Sequence, residues 1–260
     1  MMRWLDRLTG SRARPDPMAE ALAAARGGDY ETALAIWEPL ARTGVARAQN
    51  NIGACFSEGL GVERDAALAL KWLNLAAEGG DPVGRRNLAA AYFNGFGVES
   101  DFARAAELYR AAAEQGDGPA QDMLSWMLLE GEVIAPDPAE ARRWAEAAAE
   151  NGVAAAMTRL GMLYHDAIGV ARDPVRAVSW WRRGAERGDA DGQAMLGAAL
   201  HLGGGVARDG VAALAWLIRA QAGRSALAAR FVEAARASLS PAEITEAEQR
   251  AQAPLPAPAS

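Results

Sequence analysis

The stretch AMTRLGMLYHDAIGVARDPVRAVSWWRRGAERGDAD, residues 156–191, carries the pattern that decides the fold. Its apolar, small, glycine, aspartate and tryptophan positions recur every 36 residues along most of the chain. One apolar column is Ile52, Leu88, Leu124, Leu160 and Leu196, and an acidic column is Asp29, Asp65, Asp101, Asp137, Asp173 and Asp209. The period holds through five full units, 48–83, 84–119, 120–155, 156–191 and 192–227. Recurrence of this length is the signature of a repeat architecture.

Each unit is predicted to consist of two helices. Ala48, Ile52 and Phe56 are spaced by four residues, which places them on one face of a first helix. A Gly-x-Gly-Val turn ends that helix, and the aspartate column caps a second helix by accepting hydrogen bonds from its first free N–H groups. The second helix is predicted to bury Ala69, Trp72 and Ala76 on one side. No unit can bury the apolar faces of its own helices alone, so we predict an all-α, right-handed solenoid of stacked helix–turn–helix units.

The chain ends are predicted to cap this array. Residues 18–47 form a degenerate N-terminal capping repeat before the five repeats of residues 48–227. Residues 228–251 form C-terminal capping helices: Ala226–Leu239 is a first-helix-like stretch, and Ser240-Pro241-Ala242-Glu243 is a capping box that opens a last helix to about Ala251. Residues 1–17 are predicted to be a basic arm, and residues 252–260 a disordered tail.

Composition excludes several classes of protein. The 260 residues carry a formal charge of −6, which argues against nucleic acid as a partner. A single cysteine, Cys55, excludes an internal disulfide framework and a cysteine-only zinc site. No apolar run approaches the roughly 18–20 residues of a membrane span, and the N-terminus lacks the apolar core of a secretory signal. We therefore expect a soluble, cytoplasmic protein.

The unit pattern A-x-x-x-L-G-x-x-Y-x-x-G-x-G-V-x-x-D-x-x-x-A-x-x-W-x-x-x-A-A-x-x-G resembles the Sel1-like repeat, a relative of the tetratricopeptide repeat. Residues 156–191 match it nearly throughout, and the resemblance covers roughly residues 18–227. Val133 replaces the second loop glycine in unit 120–155, so that loop is predicted to differ in shape. The resemblance implies an adaptor that holds a partner on its concave surface. Some secreted, cysteine-rich members are associated with penicillin binding or weak β-lactamase activity, but this chain lacks their cysteines.

The candidate site follows from the columns that vary between units. By the resemblance to tetratricopeptide repeats, the first helices supply the concave wall. The predicted partner-binding residues on it are Arg86, Phe93, Asn94, Asp122, Trp126, Leu129, Met162, His165, Asp166 and His201. Aromatic and methionine anchors inside a polar rim are typical of a groove that binds a peptide or a helix. The alternative is that Trp126 and Phe93 only pack between neighbouring helices.

No catalytic, cofactor or metal site is predicted. His165 and His201 are the only histidines, one period apart, and lack a serine or cysteine partner at a recognisable spacing. Cys55 shares its column with apolar residues and is predicted to lie in the core. We therefore predict a non-enzymatic adaptor for a protein or peptide partner. Two alternatives remain open: a penicillin-interacting hydrolase, and a membrane-peripheral scaffold anchored through Met1–Arg14. The oligomeric state is open.

Overall fold

The computed structural model describes residues 16–255, which are helical and contain no β-strand. The α-helices in this range are α1 (Pro17–Arg26), α2 (Tyr30–Arg42), α3 (Ala46–Glu58), α4 (Ala66–Glu78), α5 (Pro82–Asn94), α6 (Phe102–Ala113), α7 (Gly118–Glu130), α8 (Pro138–Glu150), α9 (Ala154–Asp166), α10 (Pro174–Glu186), α11 (Ala190–Leu202), α12 (Gly210–Ala222), α13 (Val232–Ala237) and α14 (Pro241–Gln252). A 3₁₀ turn, Ala228–Arg230, precedes α13. The predicted all-α fold of tandem helix pairs is thus confirmed. The chain divides within α6 into two compact units, Met1–Leu108 and Tyr109–Ser260.

In the first unit, each helix packs against the next one in the chain from α1 to α5, and α3 also contacts α5. Its core contains Trp37, Ile52 and Cys55 together with small residues such as Ala33 and Ala48. The alanines allow the helix backbones to approach closely, and the large side chains fill the space between pairs. The first unit is therefore a stack of helix pairs in which α1, α2 and α3 share one core cluster.

In the second unit, each helix from α7 to α12 likewise packs against the next one in the chain, and α14 packs on α12. One core cluster is built around Met157, Leu160 and Leu163, and another around Tyr164, Trp181 and Leu196. A third cluster, around Leu214 and Leu217, takes in side chains of the C-terminal segment such as Val232. The capping segment thereby covers the apolar side of the last repeat, as a terminal repeat must.

The aspartate column caps the second helices as predicted. The side chains of Asp29, Asp65, Asp101, Asp137, Asp173 and Asp209 each accept a hydrogen bond from a backbone N–H three residues further on. Three first helices have the same cap, from Asp81, Asp117 and Asp189, which the sequence analysis did not single out. Ser240 and Glu243 form the predicted capping box at the start of α14.

The loops inside the repeats use left-handed backbone at two positions. The first position, immediately after the first helix, has positive φ in each repeat, including Ala167 at 59° where the other repeats have glycine. The second is glycine at positive φ except in unit 120–155, where Val133 does not adopt it. Within residues 131–137 the backbone bond seen after the other first helices, such as Leu60 N–H to Cys55 O, is missing for Glu132. The predicted difference of this loop is confirmed.

Two sequence predictions need correction. Trp72 was expected in the buried face of α4, but Leu73 is buried there and Trp72 is only half-buried. The reason is helical geometry: Ala69, Leu73 and Ala76 follow a spacing of four and three residues, and Trp72 lies at the edge of that face. The other error concerns Ala226–Leu239, which is no single first-helix-like element. The chain bends at Phe231 (φ −119°, ψ −22°), between the 3₁₀ turn and the six-residue α13.

The predicted ends fall partly outside the described residues. Residues 1–15 of the predicted basic arm, which include the candidate membrane contact Met1–Arg14, and residues 256–260 of the predicted tail lie outside them. Pro17, the last residue of that predicted arm, instead begins α1, which Asp16 caps. Ala253, by contrast, is described, and its carbonyl accepts a hydrogen bond from the Arg219 guanidinium at 2.5 Å. None of the helices in residues 16–255 is both long and apolar enough to cross a membrane.

Candidate functional site

The predicted site residues lie on the first helices of the repeats, and we call the side of these helices that carries them the first-helix face. Arg86, Phe93 and Asn94 belong to α5 in the first unit. The other seven belong to α7, α9 and α11 in the second unit: Asp122, Trp126, Leu129, Met162, His165, Asp166 and His201. The two groups are therefore described in turn.

In the second unit, apolar side chains are exposed on the first-helix face. Met162 on α9 is 40% exposed, and Leu202 on α11 is 55% exposed. Trp126 and Leu129 on α7 are half-buried, and Leu129 also packs against the core cluster around Leu160. Because α9 and α11 contact each other, the two exposed side chains are carried by neighbouring helices. This surface offers apolar area that the protein's own core does not use.

Polar side chains surround these apolar residues. Asp122 on α7 accepts a hydrogen bond from the Arg159 guanidinium at 3.2 Å, which joins α7 to α9. His165 Nδ1 lies 2.7 Å from Asp166 Oδ1, and the His165 ring packs against Trp181 with 5.4 Å between the ring centres. His201 is half-buried on α11. Among residues 16–255, no three histidine, cysteine, aspartate or glutamate side chains are grouped to hold a metal ion.

In the first unit, the first-helix face holds a cavity of about 370 Å³ between α3 and α5. Its lining is Ala54, Ser57, Glu58, Arg64, Leu73, Asn87, Ala90, Ala91, Asn94 and Phe96. The Asn87 amide donates to Asn50 Oδ1 at 2.8 Å, and the Arg64 guanidinium lies 5.0 Å from the centre of the Phe96 ring. The lining mixes small apolar side chains with carboxamides and one charge of each sign. Of the predicted residues, Asn94 lines this cavity.

Phe93 and Arg86 do not line the cavity. The Phe93 ring meets the Phe102 ring edge-on, with 5.2 Å between the ring centres and 73° between the planes. Phe93 is half-buried, and Phe102 is 47% exposed. This contact agrees with the alternative in which Phe93 packs on a neighbouring helix. Trp126 is also half-buried.

Sequence reasoning missed two features of the site. Leu202 shares its repeat position with Glu58, Asn94, Glu130 and Asp166, and is the one apolar residue in that column. This exception could have been recognised in the sequence, because an apolar residue at a repeat position that is otherwise polar is exposed to solvent and does not contribute to the core. Arg64 and Phe96 were missed for another reason: they lie in loops, where no periodicity indicates where a side chain points.

Comparisons with known proteins agree with this architecture. The family model of the Sel1 repeat matches residues 46–81, 82–117, 118–153, 154–189 and 190–220. The chain belongs to the Sel1 repeat family. Each Sel1 repeat begins two residues before the corresponding unit of the sequence analysis, at the start of a first helix. Sel1 repeat proteins are generally scaffolds for protein interactions, and their fold is typically non-catalytic.

Several solved structures resemble this one. A Sel1 repeat protein from Oxalobacter formigenes is 31% identical, with a TM-score of 0.70 over 79% of this chain and 84% of that one. A Sel1 repeat protein from Klebsiella pneumoniae is 20% identical, with a TM-score of 0.50 over 77% and 97% of the two chains. The immunity protein Pa5087 from Pseudomonas aeruginosa is 18% identical, with a TM-score of 0.53 over 84% and 85%. The last two show the fold alone. Among curated proteins, none matched the chain.

Proposed function

We propose that this Sel1 repeat protein is a non-catalytic scaffold that binds a protein or peptide partner on its first-helix face. The observation that carries the proposal is the exposure of Met162 and Leu202 on the contacting helices α9 and α11. Exposed apolar side chains on neighbouring helices favour a binding surface, because they cost solubility without stabilising the fold. Trp126, on α7 of the same unit, adds an aromatic anchor of the kind that dominates interface energies.

The partner segment proposed for the second unit is an amphipathic helix. Methionine and leucine side chains adapt to an apolar helix face, and helices bind such surfaces through anchors spaced three or four residues apart. His165, Asp166 and His201 supply a polar rim that orients the segment. In the first unit, the carboxamides of Asn87 and Asn94 beside the cavity suit the backbone of an extended segment, because an amide both donates and accepts hydrogen bonds.

The experiment begins by capturing partners with the purified chain and identifying them by mass spectrometry. Affinity for the purified partner is then measured for the wild type and for Met162→Asp. A carboxylate in a buried apolar contact is expected to weaken binding by about tenfold or more, equivalent to about 1.4 kcal/mol. Trp126→Ala tests the aromatic anchor in the same assay and is expected to weaken binding by a similar factor.

The matched control is Val175→Asp, because Val175 is also apolar and 68% exposed but lies on α10, away from the first-helix face. This variant should bind like the wild type. Circular dichroism and thermal melting establish that all variants remain folded. Equal affinity of Met162→Asp and the wild type for every captured partner would assign partner binding to another surface.

A further inference from the structure

Positive charge is concentrated on one helix of this acidic protein. Residues 172–187, which comprise α10 and its flanks, contain five arginines and two carboxylates, so the segment carries +3 while the whole chain carries −6. The five arginines are Arg172, Arg176, Arg182, Arg183 and Arg187. Such an excess within one helix is not needed for folding, because like charges spaced three or four residues apart destabilise a helix.

Three of these arginines form one stripe with a tryptophan. Arg176, Trp180, Arg183 and Arg187 are spaced by four, three and four residues, so they lie along a single side of α10. We call these four residues the arginine stripe. At a rise of about 1.5 Å per residue, the stripe is roughly 16 Å long. Arg176 is exposed, and the other three side chains are half-buried.

Aromatic rings hold two of the guanidinium groups in place. The Arg176 guanidinium lies 4.9 Å from the centre of the Tyr164 ring and donates to Tyr164 Oη at 3.2 Å. The Arg183 guanidinium lies 4.2 Å from the centre of the Trp180 ring. Stacking on a ring fixes the plane of a guanidinium but leaves its N–H edge available to an acceptor. The stripe is therefore pre-organised to bind planar anionic groups.

The stripe arginines also differ from other arginines of residues 16–255 in their ion pairing. Arg42, Arg104 and Arg250 pair with glutamates on their own helices, at 2.6–2.8 Å. Across residues 16–255, none of the arginines of segment 172–187 forms an ion pair with a carboxylate. Arg187 instead donates to the Arg183 carbonyl at 3.3 Å. The positive charge of the stripe is left unneutralised by the chain itself.

The second helices of the adjacent repeats do not supply a free carboxylate at the equivalent positions either. Glu140 holds the equivalent position of Arg176 on α8, but it is bound by the Arg110 guanidinium at 2.5 Å and by Trp144 Nε1 at 3.1 Å. On α12 the equivalent positions are Ala212, Trp216, Arg219 and Gly223, which carry no negative charge. Within segment 172–187, Asp173 is engaged as the helix cap. Glu186, the last residue of α10, is three residues from Arg183 but forms no ion pair with it.

We propose that the arginine stripe binds an acidic segment, rich in aspartate and glutamate, of a partner protein. Carboxylates match the paired N–H groups of a guanidinium, and a fixed guanidinium loses less freedom on binding. The segment must be short, because the chain outside residues 172–187 carries −9 and repels any polyanion that extends beyond the stripe. The short extent of the positive charge favours a peptide over nucleic acid or an anionic membrane. The stripe lies on a second helix, so this site is separate from the first-helix face.

The test measures binding of a fluorescent peptide of about ten residues, made of alternating glutamate and serine, to the full chain at an ionic strength of about 0.15 M. The triple variant Arg176→Gln, Arg183→Gln and Arg187→Gln is expected to bind about tenfold more weakly or worse. The matched control replaces Arg42, Arg104 and Arg250 by glutamine, which changes the net charge equally at sites that already have partners. This control should bind within about twofold of the wild type, because long-range charge alone is screened by salt.

Further experiments distinguish an acidic peptide from other anionic ligands and control for unfolding of the variants. The same peptide with glutamine for glutamate should not bind, and Arg183→Lys, which keeps the charge but loses the planar fork, should weaken binding. If the triple variant melts early, the single variants Arg183→Gln and Arg187→Gln replace it and should each weaken binding. Equal losses in the stripe and control triples would overturn the proposal. So would binding of single-stranded DNA or phosphatidylglycerol vesicles in the absence of peptide binding.

Discussion

At the scale of single residues, burial determines the chemistry of Cys55. Its thiol is 2% exposed in the core of the first unit, beside Ile52 and Trp37. Burial raises the pKa of this thiol from 9.0 to about 11, because the thiolate loses its hydration in the core. Sequence analysis placed Cys55 in the core from its apolar column alone, and the structure confirms that position.

We predict that Cys55 is unreactive in the folded protein. The thiolate is the reactive form, so a pKa two units higher leaves about a hundredfold less of it near pH 8 than for an ordinary thiol. Iodoacetamide labelling at pH 8, followed by mass spectrometry, should proceed at least about a hundredfold more slowly in the native chain than in guanidinium-unfolded chain. The folded chain also loses stability as the pH rises from 9 towards 11. Equal labelling rates in both states would contradict the burial of Cys55.

The residue scale also shows where sequence reasoning succeeds. The aspartate caps and the capping box of α14 were predicted because a cap depends only on residues within one turn of itself. The burial of Leu73 rather than Trp72 was not predicted, because two adjacent bulky residues differ in burial only through the rotation of the helix against its neighbours. The stacking of Arg183 on Trp180 could have been read from their three-residue spacing, but the absence of a carboxylate partner needed the structure.

At the scale of elements, small residues determine how closely the two helices of a repeat approach. A Cβ added to Gly161 on α9 would lie 2.2 Å from Trp181 Cδ1 on α10. The equivalent distances are 2.9 Å from Gly53 to Leu73 and 2.7 Å from Gly197 to Leu217. In unit 120–155 both positions hold small residues, Ser125 and Ala145, and both are fully buried. The small residues of the first helices, such as Gly53, Gly161 and Gly197, thus leave room for the facing residues of the second helices. Those facing residues, such as Leu73, Trp181 and Leu217, lie one position after the tryptophan column.

We predict that Gly161→Ala destabilises the chain despite the better helix propensity of alanine. The indole of Trp181 is rigid and 3% exposed, so α9 must move away from α10 to make room. The expected cost is about 2 kcal/mol, measured as the shift of the urea unfolding midpoint.

Gly204→Ala is the matched control for Gly161→Ala. Nothing lies within 4 Å of an added Cβ there, and the backbone of Gly204 is not left-handed. This variant should be neutral or slightly stabilising. In a Trp181→Leu background the cost of Gly161→Ala should shrink, because a leucine can move away from the added methyl group. An unchanged cost in that background would show that Trp181 is not the cause.

Elements also mark the limit of prediction for the candidate site. The helices and their faces could be predicted because 36-residue recurrence fixes the register of every repeat. That register placed Met162 and Asp166 correctly on α9. The cavity between α3 and α5 could not be predicted, because it depends on Arg64 and Phe96, whose loop conformation follows from glycines at positive φ. The bend at Phe231 was missed for a similar reason: the period ends before it.

At the scale of the whole molecule, the interactions that hold the repeats together join residues that are close to each other in the sequence. The main helix contacts join successive helices or helices one apart. Side-chain hydrogen bonds between repeats span a similar distance along the chain, since Arg47 bonds to Asp81, Thr158 to Asp189 and Ser225 to Asp191. In such an array the free energy of unfolding is roughly a sum over repeats and their interfaces, so damage to one repeat is expected to remain local.

We predict that Leu73→Ala loosens its own repeat more than distant ones. Leu73 is 2% exposed and contacts the Gly53 region of α3, so its truncation should cost about 2–5 kcal/mol. Native-state hydrogen exchange followed by mass spectrometry should show the largest loss of amide protection in α3, α4 and α5, with α11–α14 much less affected.

Leu217→Ala is the reciprocal variant, because Leu217 is fully buried and holds the same repeat position on α12. It should reverse the pattern, so that protection falls most in α11–α14. The two variants together control for a general loss of stability, since each region serves as the reference for the other. A uniform loss of protection in both variants would mean that the chain unfolds as one cooperative body, and the additive account of repeat stability would then be wrong.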